Sequence, residues 1–158
     1  MRLQAVALAL CVAAVAAPSV AQNAPPTRKT GWWDISVRVM GVTSKIQVCT
    51  DPATEKLYPS VAGNPGDDCT PAVTTRTAPG WTFETSCKTP QGPARTTGTV
   101  QGDFQSGYKV AAATQAPGVP FKVPVTIEGR YVGDCPSPRV AGDMVMGGKV
   151  TNLLKSHP

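Results

Sequence analysis

Between Gly31 and Gly41 the chain reads GWWDISVRVMG, in which the apolar residues Trp33, Ile35, Val37 and Val39 alternate with the polar residues Asp34, Ser36 and Arg38. A period of two suits a pleated strand with one buried face and one wet face; on a helix the same apolar side chains would be scattered around the axis. The alternation returns with Val123, Val125, Ile127 and Tyr131 set against Thr126, Glu128 and Arg130. Shorter versions occur at Ile46 and Val48, at Val73, Thr75 and Thr77, at Trp81 and Phe83, and at Tyr108, Val110 and Ala112. The breaks between these runs (Gly41-Val42-Thr43, Ala78-Pro79-Gly80, Gly92-Pro93, Ser106-Gly107) are short and suit hairpins rather than crossover helices. With 15 Gly, 16 Pro and no sustained helical stripe, the chain is expected to be all-β: an up-and-down antiparallel sheet of about seven or eight strands. Curling toward an open or closed barrel would manage the sheet's edges, and a sandwich is the rival arrangement.

Outside these strands, Asp51 to Asp68 is too rich in Pro and Gly to be a strand and has room for one helical turn around Thr54 to Leu57. One more strand is expected near Asp143 to Thr151. The expected organisation is therefore a signal peptide over 1–21, an extended or disordered lead-in over 22–30, one β domain over 31–136 and a C-terminal extension over 137–158. The signal-peptide reading rests on Arg2, the uninterrupted small and apolar run from Ala5 to Ala17, and small residues at Ser19 and Ala21. Ala16 is an alternative cleavage position. That apolar run is short for a membrane span, and no later stretch approaches the eighteen or so apolar residues a transmembrane helix needs.

Removing residues 1–21 takes away Arg2 and Cys11 and lowers the formal net charge from +5 to +4. The remaining basic residues are scattered from Arg28 to Lys155, without the patch or stripe that tracks phosphates, so nucleic acid is not an expected partner. Cys49, Cys69, Cys87 and Cys135 remain. They are even in number, widely spaced and without a C-x-x-C, in a chain that leaves the reducing cytoplasm; two disulfides are expected rather than a redox dithiol or a zinc ribbon. Three connectivities are open. Cys49 with Cys69 and Cys87 with Cys135 is the favoured pairing, the first to clamp the long loop and the second because both cysteines keep the register of an apolar face.

Several of these phrases occur together in a known family. A GWW strand opener, a VC, a DC after a variable loop, W-x-F-x-x-x-C, G-P-A-R-T-T-G and finally G-R-Y-V-G-D-C-P run in order from Gly31 to Pro136. In this the chain resembles the bacterial secreted family called domain of unknown function 3617. The resemblance implies a periplasmic protein of a Gram-negative envelope. It carries over no catalytic residues, because the family has no established activity.

The chemistry-bearing residues point away from catalysis. A triad needs a base oriented beside its nucleophile, and the one histidine, His157, is the penultimate residue. Ser106 and Lys109 match S-x-x-K, but they fall in a turn entering a strand and not on the helical face that motif requires. Asp67 and Asp68 lack the alternating acids and closing glutamate of a calcium loop. Met144 and Met146 would point the same way on a strand, as copper ligands do, yet no His or Cys stands near them in sequence. No catalytic residue, metal or cofactor is therefore assigned. Trp33, Trp81, Phe83 and Tyr131 share the inward face and are expected either to form the core or, if small inward residues such as Thr75, Thr96, Gly98 and Ala112 leave space, to line an apolar pocket. The expected function is a non-enzymatic periplasmic β-domain that binds a small apolar ligand or an envelope component. The alternative is a structural module whose strand edges pair with a partner.

Overall fold

The computed structural model describes residues 25–57 and 68–155. The expected signal peptide, Asp67 and His157 lie outside the described residues. The elements are β1 (Gly31–Val39), β2 (Val42–Thr50), α1 (Pro52–Leu57), β3 (Val73–Arg76), β4 (Trp81–Thr89), β5 (Gly92–Gly102), β6 (Gly107–Gln115), β7 (Val123–Gly133), β8 (Asp143–Met146) and β9 (Lys149–Asn152). Among the described residues nine strands form one antiparallel sheet in the order β3-β4-β5-β6-β7-β1-β2-β8-β9, with β3 and β9 at its edges, so the sheet does not close. Neighbours alternate in direction throughout, but the chain does not visit them in sequence: β1 sits between β7 and β2. The ninth strand comes from the tail, which makes a hairpin where one strand was expected. Gly147 (φ 57°) and Gly148 (φ 80°) supply the two left-handed residues of a tight hairpin turn. Both edges are four residues long, which limits what another chain could pair with.

Cross-strand register sorts the side chains onto two faces. Val37, Ile127, Val110, Val100 and Trp81 are successive partners on one face, and Val48, Trp33 and Tyr131 form a parallel row. This inner face carries the core: Trp33, Val48, Trp81, Phe83, Val100, Phe104, Tyr108 and Val110 are buried together. Thr75, expected inward, pairs with Thr82 on the opposite, outer face. Its parity within the short β3 is fixed by pairing with β4, which places Thr74 and Arg76 inward.

The disulfides join Cys49 to Cys135 and Cys69 to Cys87, with Cα–Cα distances of 5.6 and 3.9 Å, and correct the favoured pairing. Strand order is the cause. Trp32 of β1 has Cys49 as its partner on one side and Gly133 on the other, so the insertion of β1 brings the end of β2 and the chain just after β7 together across one strand. Cys69 lies directly opposite Cys87 in an isolated bridge that prolongs the β3–β4 pairing. The two covalent links therefore fasten opposite ends of the sheet.

Residues 25–30 run without regular secondary structure, and within them Arg28 is buried. Its Nε donates to Glu55 Oε1 at 2.6 Å and its backbone N–H donates to Oε2 at 3.1 Å. Glu55 is presented by α1, which Asp51 caps by accepting hydrogen bonds from the Thr54 backbone and hydroxyl, with Pro52 at the first helical position. Those bonds from Thr54 also hold the Asp51 carboxyl below the usual carboxylate range. An ion pair this buried ties the lead-in and the helix to the same end of the sheet, beside Tyr108, whose hydroxyl lies 3.4 Å from Arg28.

Candidate functional site

The four aromatic residues singled out from sequence all lie on the inner face and belong to one cluster. Trp33, fully buried, packs edge-on against Tyr131 and tilted against Tyr108, with ring centroids 5.6 Å apart in both cases. Trp81 meets Phe104 edge-on at 6.2 Å, and Phe104 stacks on Tyr108 at 5.3 Å. Phe83 completes the cluster from β4. The rings engage one another, and the Phe83 ring takes the space over Gly98. A Cβ at Gly98 would fall 2.6 Å from the Phe83 ring, and one at Gly129 would collide with the ring of Tyr108. Gly98 and Phe83, like Gly129 and Tyr108, are direct cross-strand partners, so each ring lies over the glycine of the neighbouring strand. Thr96 and Thr114 spend their hydroxyls on each other at 2.8 Å. Burial pushes the Tyr108 phenol above its usual value, only partly offset by Arg28.

Phe104 was not legible from periodicity, since it sits in the β5–β6 connection with φ of 59° and yet is fully buried. The local signal is Asp103. Its carboxylate accepts from the backbone N–H groups of Gln105, Ser106 and Gly107 and from the Ser106 hydroxyl, which folds the connection back over the core. Those bonds, led by the Ser106 N–H, hold the Asp103 carboxyl far below the ordinary carboxylate range. The Ser106 hydroxyl is thus committed to Asp103, and Lys109 is paired with Glu128 at 2.8 Å. Met144 is half-buried against the core and Met146 is half-exposed. Among the described residues no group of three or more His, Cys, Asp or Glu is placed to hold a metal.

A groove of about 850 Å³ lies elsewhere, across β6, β7, β1, β2 and β8. Its outer-face side chains come from two cross-strand rows. In one, Arg130, Asp34, Gln47 and Val145 are successive partners; in the other, Lys109, Glu128, Ser36 and Lys45 are. Adjacent strands stand about 4.8 Å apart, so the second row spans roughly 14 Å from Lys109 to Lys45. Gly147 and Gly148 of the β8–β9 turn border the groove at its far side.

Within the first row the Asp34 carboxylate accepts from Gln47 at 2.8 Å and from Arg130 at 3.1 Å. In the second, the hydrogen bond and charge of Lys109 hold the Glu128 carboxyl below its usual value, with a smaller contribution from Arg38. Lys45 and the Ser36 hydroxyl have no side-chain partner among the described residues. The groove therefore carries three cations against two carboxylates, and its uncommitted groups are hydrogen-bond donors. These exposed ion pairs contribute little to stability. Their effect is to shape the potential of the groove.

Sequence reasoning missed this site because it weighed only the apolar half of each alternating strand. The polar half of GWWDISVRV and of VPVTIEGRYVG, read together, carries the signal. No helix among the described residues is long and apolar enough to cross a membrane. No curated protein matches the chain, and no solved structure does. A family model described as "Protein of unknown function (DUF3617)" matches residues 28–135, from the buried Arg28 to the disulfide-bonded Cys135. The chain belongs to the DUF3617 family.

Proposed function

We propose that this is a non-enzymatic periplasmic binding domain whose outer-face groove takes an anionic, hydroxyl-rich component of the cell envelope. The observation that carries the reading is the Lys109–Glu128–Ser36–Lys45 row, which offers an uncommitted ammonium and hydroxyl inside a groove of ligand size. Charged donors give directional, shape-specific contacts to carboxylate or phosphate oxygens, and a sheet holds them at fixed spacing without a conformational change. The mutual packing of Trp33, Trp81, Phe83 and Tyr131 supports a polar ligand in the groove over an apolar one in the interior. Export to an oxidising compartment agrees with the two disulfides and with the signal-like residues 1–21. The non-enzymatic part rests on Glu128, held ionised by Lys109 rather than raised toward neutrality as a general acid would be, and on Ser106 and Lys109 being committed to other partners.

The test is calorimetric titration of the exported, disulfide-bonded protein with two soluble probes, carboxylate-bearing muropeptides and a phosphorylated core oligosaccharide. Binding of at least one is expected, weakened tenfold or more by Lys45→Glu with Arg130→Glu, both exposed positions. Heat absent with both probes, or unchanged affinity in the double variant, overturns the groove reading. Cleavage of either probe, seen by mass spectrometry after incubation, overturns the non-enzymatic part.

A further inference from the structure

One end of the sheet, away from α1 and the Arg28–Glu55 pair, exposes large apolar side chains. Val39, Met40 and Val42 at the β1–β2 turn are 37%, 60% and 71% exposed, and Phe121 in the β6–β7 connection is 52% exposed. Register places them at one end: Val39 pairs with Val42 on one side and with Val125 on the other, and Phe121 lies just ahead of β7, beyond that pairing. Scattered exposed valines are ordinary, but a Met and a Phe joined to them at the tips of adjacent connections make a patch.

The backbone makes the choice of Met40 more telling. The β1–β2 turn has φ of 49° at Met40 and 85° at Gly41, the two left-handed residues of a tight hairpin. Asn, Asp or Gly satisfies the first of these positions at least cost, while a long apolar side chain is disfavoured there and then left in water. With Met40 60% exposed, burial does not repay that placement, which is the pattern of a residue serving an external partner.

Charge identifies the partner. Arg38 and Lys122 flank the patch, and residues 35–46 and 111–127 contain no Asp or Glu. The carboxylates next along the chain, Asp34 and Glu128, are already paired with Arg130 and Lys109. Apolar tips whose own strands and connections carry cations and no carboxylate match the interface of a bilayer containing anionic lipid, where Phe and Met enter the acyl boundary and Lys and Arg meet phosphates. A second copy of the chain would instead bring cation against cation at this end. We infer that the β1–β2 turn and the β6–β7 connection form a docking surface for an anionic phospholipid bilayer, independent of what the groove holds.

The experiment is vesicle flotation of the exported, disulfide-bonded chain, after removal of residues 1–21, with liposomes of phosphatidylethanolamine and phosphatidylglycerol and with liposomes of phosphatidylcholine alone. Binding to the anionic vesicles is expected, reduced several-fold at high salt and at least tenfold lower on phosphatidylcholine. The double variant Met40→Asn, Phe121→Ser should lose tenfold or more. Because Asn suits the turn better than Met, the variant should melt no lower than the parent, which separates lost docking from lost folding. Lys122→Glu with Arg38→Glu, neither of which lines the groove, should weaken binding to the anionic vesicles and leave the weak phosphatidylcholine level unchanged. The proposal is overturned by no flotation with anionic vesicles, by equal flotation of the Met40→Asn, Phe121→Ser variant, or by a concentration-dependent dimer in sedimentation that the same variant abolishes.

Discussion

Replacing Glu55 tests how the N-terminal segment is held. Arg28 and Glu55 have side chains only 5% exposed, and the carboxylate serves two donors on Arg28, Nε at 2.6 Å and the backbone N–H at 3.1 Å. Glu55→Ala would take from the buried Arg28 its carboxylate while leaving its contacts with Tyr108, and removing one member of a buried pair typically costs about 3–5 kcal/mol. With a urea slope of about 1.5 kcal/mol per molar, a loss of about 4 kcal/mol moves the unfolding midpoint down by roughly 2.5 M. Glu55→Gln preserves the volume and an acceptor for the Arg28 N–H but removes the charge, so its shift should be about half as large. The assay is equilibrium urea unfolding of the oxidised protein, completed as a double-mutant cycle with Arg28→Ala, where a coupling energy above about 2 kcal/mol is expected. Raising the salt from 0.1 to 1 M should leave that coupling nearly intact, since buried pairs are weakly screened. A midpoint shift below about 0.5 M for Glu55→Ala, or additive single variants, would refute the anchoring argument.

Two further outcomes follow from the covalent and electrostatic frame. Cys49–Cys135 spans 86 residues and Cys69–Cys87 spans 18, so loop entropy assigns them about 4.5 and 3 kcal/mol respectively. The Cys49→Ser, Cys135→Ser pair should therefore melt lower than Cys69→Ser, Cys87→Ser, and the reverse order would contradict the loop argument; non-reducing peptide mapping of the parent checks the connectivity itself. The carboxyl of Asp143 is held below its usual value by hydrogen bonds from Asn152 and the Val140 N–H, as Asp51 is by Thr54. Folded pKa values below the unfolded ones mean that this stability is complete above about pH 5 and drains away as the pH falls through the unfolded and then the depressed folded values. Melting temperature should drop between pH 5 and pH 2, and Asp143→Asn should flatten that drop; an unchanged slope in the variant would rule out Asp143 as a contributor.

The strands were legible because a period of two is a local property. Once Trp33, Ile35, Val37 and Val39 alternate with polar residues, the pleat assigns their faces whatever the neighbours are. The same logic grouped Trp33, Trp81, Phe83 and Tyr131 on one side, where they are found. The tail hairpin was half legible: the strand was expected, but the Gly147-Gly148 turn that splits it in two was not read as a turn. Buried Arg28 was not legible, because a basic residue in QNAPPTRKT looks like solvated lead-in until α1 places Glu55 against it.

By itself, the sequence determined an all-β sheet, the inward side of its long strands and the four paired cysteines, which follow from spacing along one dimension, while the order of its motifs carried the resemblance to the family. Only the tertiary structure decided which cysteines pair, how the aromatic rings pack on one another, and that a charged groove crosses the outer face. Each of those depends on strand order. Inserting β1 between β7 and β2 brings Cys49 to Cys135 and sets Asp34 and Ser36 between partners that lie far from them along the chain. Pairing of β4 with β5 and of β6 with β7 lays the Phe83 and Tyr108 rings over Gly98 and Gly129. Contacts between distant segments are selected by the joint packing of all the strands, and no single stretch of the chain carries that information.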